Sequence, residues 1–167
     1  HYSLVERNCE RELVQCAQAL GMAVTAWSPL AGGVLTGKYS RDAAERKDQP
    51  GRLTTTSWGN LFMNERNLTI AEAVRKAGAS LGCSSAQVAI RWLQQRPGNV
   101  IPIIGARSAV QLHELLGACA VTLDKEALTT LEAASRIEPQ YPASLHYAPT
   151  HRKMVHGDCS GEIDGLA

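Results

Sequence analysis

The sequence predicts an α/β protein built on a parallel sheet. Two observations carry that reading. Short, nearly continuous apolar runs recur at residues 2–5, 22–27 and 100–104, the pattern of strands covered on both faces. Between and after them, apolar residues recur at helical spacing, so strand and helix alternate as in right-handed β-α units. Three strands are few for a closed parallel architecture, and the outer ones would keep unpaired backbone groups. The chain also starts at His1, without Met. Both points lead us to expect part of a larger fold.

The elements follow in order. Residues 2–5 read as the end of a strand, and Asn8 as an N-cap. Residues 10–20 place Leu13, Cys16, Ala17 and Leu20 on one helical face, with Gly21 as the stop. Residues 22–27 form the next strand, ended by Ser28-Pro29 because Pro cannot donate to a ladder. A long loop is expected from 30 to about 67, and loops of that length are usually functional. Residues 68–81 form a helix with Ile70, Val74, Ala77 and Leu81 on one face and Gly82 at its end. Ser84 and Gln87 make a capping box for the next helix, which carries Val88, Ala89, Trp92 and Leu93. Pro97-Gly98 ends it, and residues 100–104 form a buried strand. Ser108 with Gln111 makes a second capping box for a helix to about Leu116. Asp124 caps the last clear helix, with Leu123 and Leu128 as a hydrophobic staple. Beyond Arg136 periodicity fades, and an extended surface tail is expected.

Composition excludes several functions. The 17 Lys and Arg nearly balance the 16 Asp and Glu, for a formal charge of +1, so no basic excess points to nucleic acid. One Phe, three Trp and four Tyr are too few for a single-strand stacking platform. No apolar stretch approaches the roughly 20 residues of a membrane helix, and no secretory signal is visible. Five scattered cysteines, without a C-x-x-C pair, fit reduced thiols in a cytoplasmic protein.

In parallel α/β folds, function gathers at the C-terminal ends of strands. The first such end runs from Ala26 through Trp27 to Lys38. It offers an aromatic face, glycines for close approach and a cation. The second, Ile103-Ile104-Gly105-Ala106-Arg107-Ser108, feeds a helix N-terminus, a ready anion site. Together they suggest a dinucleotide. Neither is a G-x-G-x-x-G or Walker loop. On pattern alone, a capped helix with a solvated Arg107 is an equal alternative, and a lone Trp27 is more often a core residue than a stacking platform.

The wording of these segments resembles the aldo-keto reductase family. It is carried by Tyr2-Ser3-Leu4-Val5-Glu6-Arg7, by Glu10-Arg11-Glu12-Leu13 and by residues 26–39. Ser85-Ala86-Gln87-Val88-Ala89-Ile90-Arg91-Trp92-Leu93 and residues 101–108 continue it. The likeness covers residues 1–137 and is strongest to bacterial reductases similar to potassium-channel β-subunits. It implies the C-terminal part of a (β/α)8 TIM barrel: the end of strand 6, then strands 7 and 8 with their helices. It also implies a single domain half over residues 1–167, with 138–167 as a tail. The cofactor implied is NADP(H) and the substrate a small carbonyl compound. Trp27 would stack on the nicotinamide. Ser28, Leu30, Ala31, Gly32, Gly33, Thr36 and Lys38 would line the pyrophosphate side, with Arg52 reaching the adenosine phosphate. Gly105, Ala106, Arg107, Ser108, Gln111 and Glu114 would hold the 2′-phosphate and adenine. One position departs: the family usually has Asn after the Glu, where this chain has Leu115. The family's catalytic Asp, Tyr, Lys and His would lie upstream of His1, so no catalytic residue is expected here and the chain alone is expected to be inactive.

The tail suggests a rival site. His146, His151, His156 and Cys159 are zinc-ligand types, but their spacing matches no common finger, so no metal is expected. His113 reads as an exposed helical residue, and Cys16 and Cys83 as small core or near-core residues. Three functions differ in class: part of an NADPH-dependent carbonyl reductase, a non-catalytic nucleotide-binding module, or an inactive fragment. Substrate identity and oligomeric state are left open.

Overall fold

A computed structural model of the chain describes residues 1–39, 62–157 and 159, with the side chains of His146 and Tyr147 left out. The chain divides into two compact units, His1–Ser135 and Arg136–Ala167.

The first unit is α/β. Strand β1 (Ala23–Ala26) and strand β2 (Asn99–Pro102) pair in parallel, Ala23 opposite Asn99 and Ala26 opposite Pro102. Its helices are α1 (Leu13–Ala19), α2 (Glu65–Leu81), α3 (Ser85–Gln94), α4 (Ala109–Leu116) and α5 (Lys125–Ser135). Helices α2 and α3 lie in the crossover between the strands, as parallel pairing requires. The core gathers Leu4, Val34 and Leu35 with Ile70 and Val74 of α2, Val88, Trp92 and Leu93 of α3, and Leu131 of α5. A smaller cluster joins Ala86, Ile90, Leu115 and Ala118.

The helix ends follow the sequence closely. The Asn64 side chain accepts from the Asn67 N–H, so α2 starts three residues before the expected Leu68. Gly82 ends it at φ 66°. Ser84 and Gln87 form the expected capping box. Asp124 caps α5 by accepting from the Ala127 N–H at 2.7 Å, and Leu123 and Leu128 both pack on the core.

Several expectations need correction. Residues 2–5 are not a strand. Ser3 and Glu6 exchange backbone hydrogen bonds at 3.0 and 3.2 Å and close a small loop instead. Asn8 caps nothing, because the preceding turn Asn8–Arg11 is a 3-10 helix without a side-chain cap. Helix α1 buries Val14 and Ala17, whereas Leu13, Cys16 and Leu20 are exposed. With only seven residues and apolar side chains on two sides, its stripe was ambiguous. The strands are covered on one face only among the described residues. Val24 and Val100 pack inward, while Thr25 and Ile101, one register step away, are exposed. The long loop is also partly structured, since Ala31–Thr36 form short 3-10 turns kinked at Gly32 and Gly33.

The second unit holds two short helices, α6 (Ala143–Tyr147) and α7 (Pro149–His156). The expected extended tail is therefore helical in part. Pro149 at the first position of α7 presets the helical φ. Among the described residues, no group of three or more His, Cys, Asp or Glu side chains is placed to hold a metal, and no helix is long and apolar enough to cross a membrane.

Candidate functional site

Because β1 and β2 run parallel and in register, the residues that follow them leave the sheet at the same end. There they enclose an open cleft of about 900 Å³. That volume lies within the range, roughly 300–1,000 Å³, of pockets that bury organic ligands.

One wall comes from the segment after β1. Trp27, Ser28, Leu30, Gly32, Gly33, Thr36 and Lys38 line it. The chain winds tightly here. The Ala31 N–H donates to the Ser28 carbonyl at 3.0 Å, and the Gly33 N–H to the Leu30 carbonyl at 2.9 Å. The Thr36 hydroxyl donates to the Gly33 carbonyl at 2.7 Å. This winding drives φ positive at Ser28 (56°) and Ala31 (49°), and at Gly32 (67°) and Gly33 (108°). For the two side-chain-bearing residues that costs about 1–2 kcal/mol each. Such strain persists where the surroundings enforce it, often at functional sites.

The other wall comes from the segment after β2. Gly105, Ala106, Arg107, Ser108, Gln111 and Glu114 line it. Ser108 caps α4 by accepting from the Gln111 N–H at 3.2 Å. The reciprocal half of the expected capping box is shifted by one residue. Gln111 Oε1 accepts from the Arg107 N–H at 2.9 Å, so the Gln111 carbonyl is committed to holding the Arg107 loop. The Glu114 carbonyl accepts from Gln87 Nε2 at 2.8 Å, which ties α4 to the start of α3.

Thirteen of the fifteen expected cofactor residues therefore face one cleft. Two do not. Ala31 is fully buried in the core and holds the turn from beneath. Arg52 lies outside the described residues. Trp27 is 49% exposed, so it is a surface indole, and among the described residues the fully buried core tryptophan is Trp92. Leu115 is buried and packs with Ala86, Ile90 and Ala118.

The electrostatics favour an anion. Lys38 and Arg107 are both exposed in the cleft lining, and neither forms an ion pair among the described residues. Glu114 is the one carboxylate in the lining among the described residues. The expected cofactor residues left out the apolar part of the lining. Phe62 and Tyr39 are buried side chains of the cleft, and Ile103 and Ile104 extend β2 into it. His1 sets its ring edge-on to Trp27 at 5.0 Å and to Phe62 at 5.7 Å. Phe62 has no nearby motif to reveal it. The signal for Ile103 and Ile104 was their place at a strand end.

Comparison with known proteins joins this geometry. The model of the aldo/keto reductase family matches residues 1–136. The chain is 37% identical over 130 residues to an uncharacterized oxidoreductase of Bacillus subtilis, covering 78% of this chain and 37% of that protein. It is 32% identical over 131 residues to human aflatoxin B1 aldehyde reductase member 4, covering 70% of this chain and 39% of that protein. It is 28% identical over 145 residues to a putative aryl-alcohol dehydrogenase of Saccharomyces cerevisiae, covering 86% and 38%. The chain thus spans less than two fifths of the length of these relatives. With a family match over most of its length and a glycine-lined, cationic cleft at its strand ends, the chain belongs to the aldo/keto reductase family.

Proposed function

We propose that the chain forms the cofactor-binding half of an oxidoreductase that reduces small aldehydes or ketones with NADP(H). The carrying observation is the pair of cations, Lys38 and Arg107, set on opposite strand-end segments of one cleft with no ion-pair partner among the described residues. Two anionic groups joined by a neutral spacer fit that arrangement, as in a phosphorylated dinucleotide. Lys38 and the glycines after β1 serve the pyrophosphate, because glycine lets backbone N–H groups approach closely. Arg107, beside the N-terminus of α4, serves the 2′-phosphate. The exposed face of Trp27 suits the nicotinamide. When bound, the nicotinamide supplies the hydride that reduces the carbonyl.

The names of the relatives support the substrate class, since they include an aldehyde reductase and an alcohol dehydrogenase. The family fold supports assigning β1 and β2 to strands 7 and 8 of a (β/α)8 barrel. The hydrogen bond from the Tyr2 N–H to the Trp27 carbonyl, 3.1 Å, supports placing Tyr2 just past the end of strand 6. This reading treats residues 138–167 as a C-terminal tail and assigns no residue of this chain to proton transfer. The chain alone then binds cofactor without turning over.

The test is fluorescence titration of the chain and its Arg107→Ala variant with NADPH and NADH. Arg107→Ala is expected to weaken NADPH by about tenfold or more, the scale of one charge-assisted phosphate contact, and NADH far less. Equal loss for both, or no NADPH binding by the unaltered chain, overturns the assignment.

A further inference from the structure

A second constellation of side chains stands apart from the cleft lining. Arg7 forks onto both oxygens of Glu10, each at 2.9 Å, and reaches Glu132 at 2.8 Å. Arg96 bonds Glu132 and lies 3.6 Å from Glu10. Both guanidiniums lie over the Trp92 ring, at 5.0 and 4.7 Å from its centre. Trp92 Nε1 donates to Glu132 at 3.1 Å. Tyr2 completes the set: its hydroxyl donates to Glu10 at 2.8 Å and accepts from Arg96 Nε at 3.2 Å. Two guanidiniums and two carboxylates cancel in charge. Removing one partner from such a network leaves partly buried charges without their partners, so it favours one arrangement of its members.

The reach of this clamp is what makes it informative. Its anchor residue, Tyr2, touches the cleft through the main chain. The Tyr2 N–H donates to the Trp27 carbonyl at 3.1 Å. The preceding ring, His1, meets the indole of Trp27 edge-on. Trp27 itself is half exposed and is followed by Ser28 at positive φ.

We propose that Tyr2 is a positioning residue: the clamp anchors its buried ring, and its main chain sets where the Trp27 indole stands at the cleft. The consequence for ligand binding rests on the dinucleotide reading above. The positioning itself does not.

The experiment uses the whole chain with Trp58→Phe. Trp92 is fully buried, so a collisional quencher such as acrylamide then reports Trp27, and adding Trp27→Phe verifies this by abolishing the quenchable signal. Tyr2→Phe keeps the ring and the main-chain donor and removes only the hydroxyl. It is expected to raise quenching of Trp27 about twofold as local packing loosens. NADPH binding is expected to weaken about tenfold as the indole is misplaced. Glu10→Gln, which keeps an acceptor for Tyr2, should move both readouts in the same direction and serves if Tyr2→Phe does not fold. Arg75→Ala, which removes an exposed ion pair with Glu72, should move neither. A lowered Tm with unchanged Trp27 quenching makes the clamp structural only and overturns the proposal. Should the unaltered chain bind no NADPH, the quenching arm still decides the positioning, and only the dinucleotide reading fails.

Discussion

At the scale of single residues, the cleft separates side chains that hold the fold from side chains that face a ligand. Trp27 and Trp92 are the clearest pair, one half exposed and one fully buried. Trp92→Ala is expected to cost about 3–5 kcal/mol, the range for a buried large aromatic, and to lower the urea midpoint sharply. Trp27→Ala should leave that midpoint nearly unchanged and weaken NADPH binding. Unfolding on Trp27→Ala would instead make it a core residue. Gly33 tests the turn after β1. An added Cβ would meet Tyr39 Cε2 at 3.5 Å, an ordinary contact, so no clash opposes alanine. The φ of 108° does. Gly33→Ala is expected to cost about 1–2 kcal/mol through the backbone alone, read as a shift in thermal midpoint. The motif residues were legible because they lie in sequence at the ends of apolar runs. Phe62 was not, because burial from a distant segment leaves no local pattern.

At the scale of elements, caps were the most legible feature. Ser84, Ser108 and Asp124 all accept from the N–H three residues on, because N-capping depends on a few neighbouring residues. Asp124→Ala is expected to destabilise by about 1 kcal/mol, the usual value of a lost cap, measured as a urea midpoint shift at constant slope. The failures share one cause. Whether residues 2–5 pair as a strand depends on their neighbours, and there the Ser3–Glu6 turn wins. Whether α1 shows Leu13 or Val14 to the core depends on how it docks beside β1, which a seven-residue helix with two apolar sides leaves undetermined. The Gln111 side chain likewise bonds Arg107 and not Ser108, a choice between two N–H groups one residue apart. It places the Arg107 loop in the cleft wall.

At the scale of the whole first unit, the clamp of Arg7, Glu10, Arg96 and Glu132 links the N-terminal segment to α3, the turn after it, and α5. It makes stability depend on pH in a stated direction. Burial alone would raise the Glu10 carboxyl, but its bonds to Arg7 and Tyr2 and the charges of Arg7 and Arg96 outweigh burial and hold it below the ordinary carboxylate value. Its contribution is therefore present above the unfolded value, about 4.3, and is lost as pH falls through the lowered folded one. Burial, reinforced by Glu10, pushes the Tyr2 phenol up. That contribution is intact below about pH 10 and is lost as pH rises further. Urea midpoints measured across this range should form a plateau with losses on both sides, and Glu10→Gln should flatten the acid limb. An acid limb as steep in the variant as in the unaltered chain would remove Glu10 from this role.

The sequence by itself determined the alternation of strands and helices, the caps and the two strand-end segments that carry Trp27, Lys38 and Arg107. Those properties are set by residues close together in the chain. Only the tertiary structure decided that Ser135 and Arg7, 128 residues apart, would bond at 2.7 Å, and that Phe62 and Ile104 would share a cleft. The same holds for the one-sided cover of the sheet among the described residues. Those outcomes depend on which surfaces meet once the helices pack, and buried area and paired charge decide that without leaving a periodic trace in the sequence.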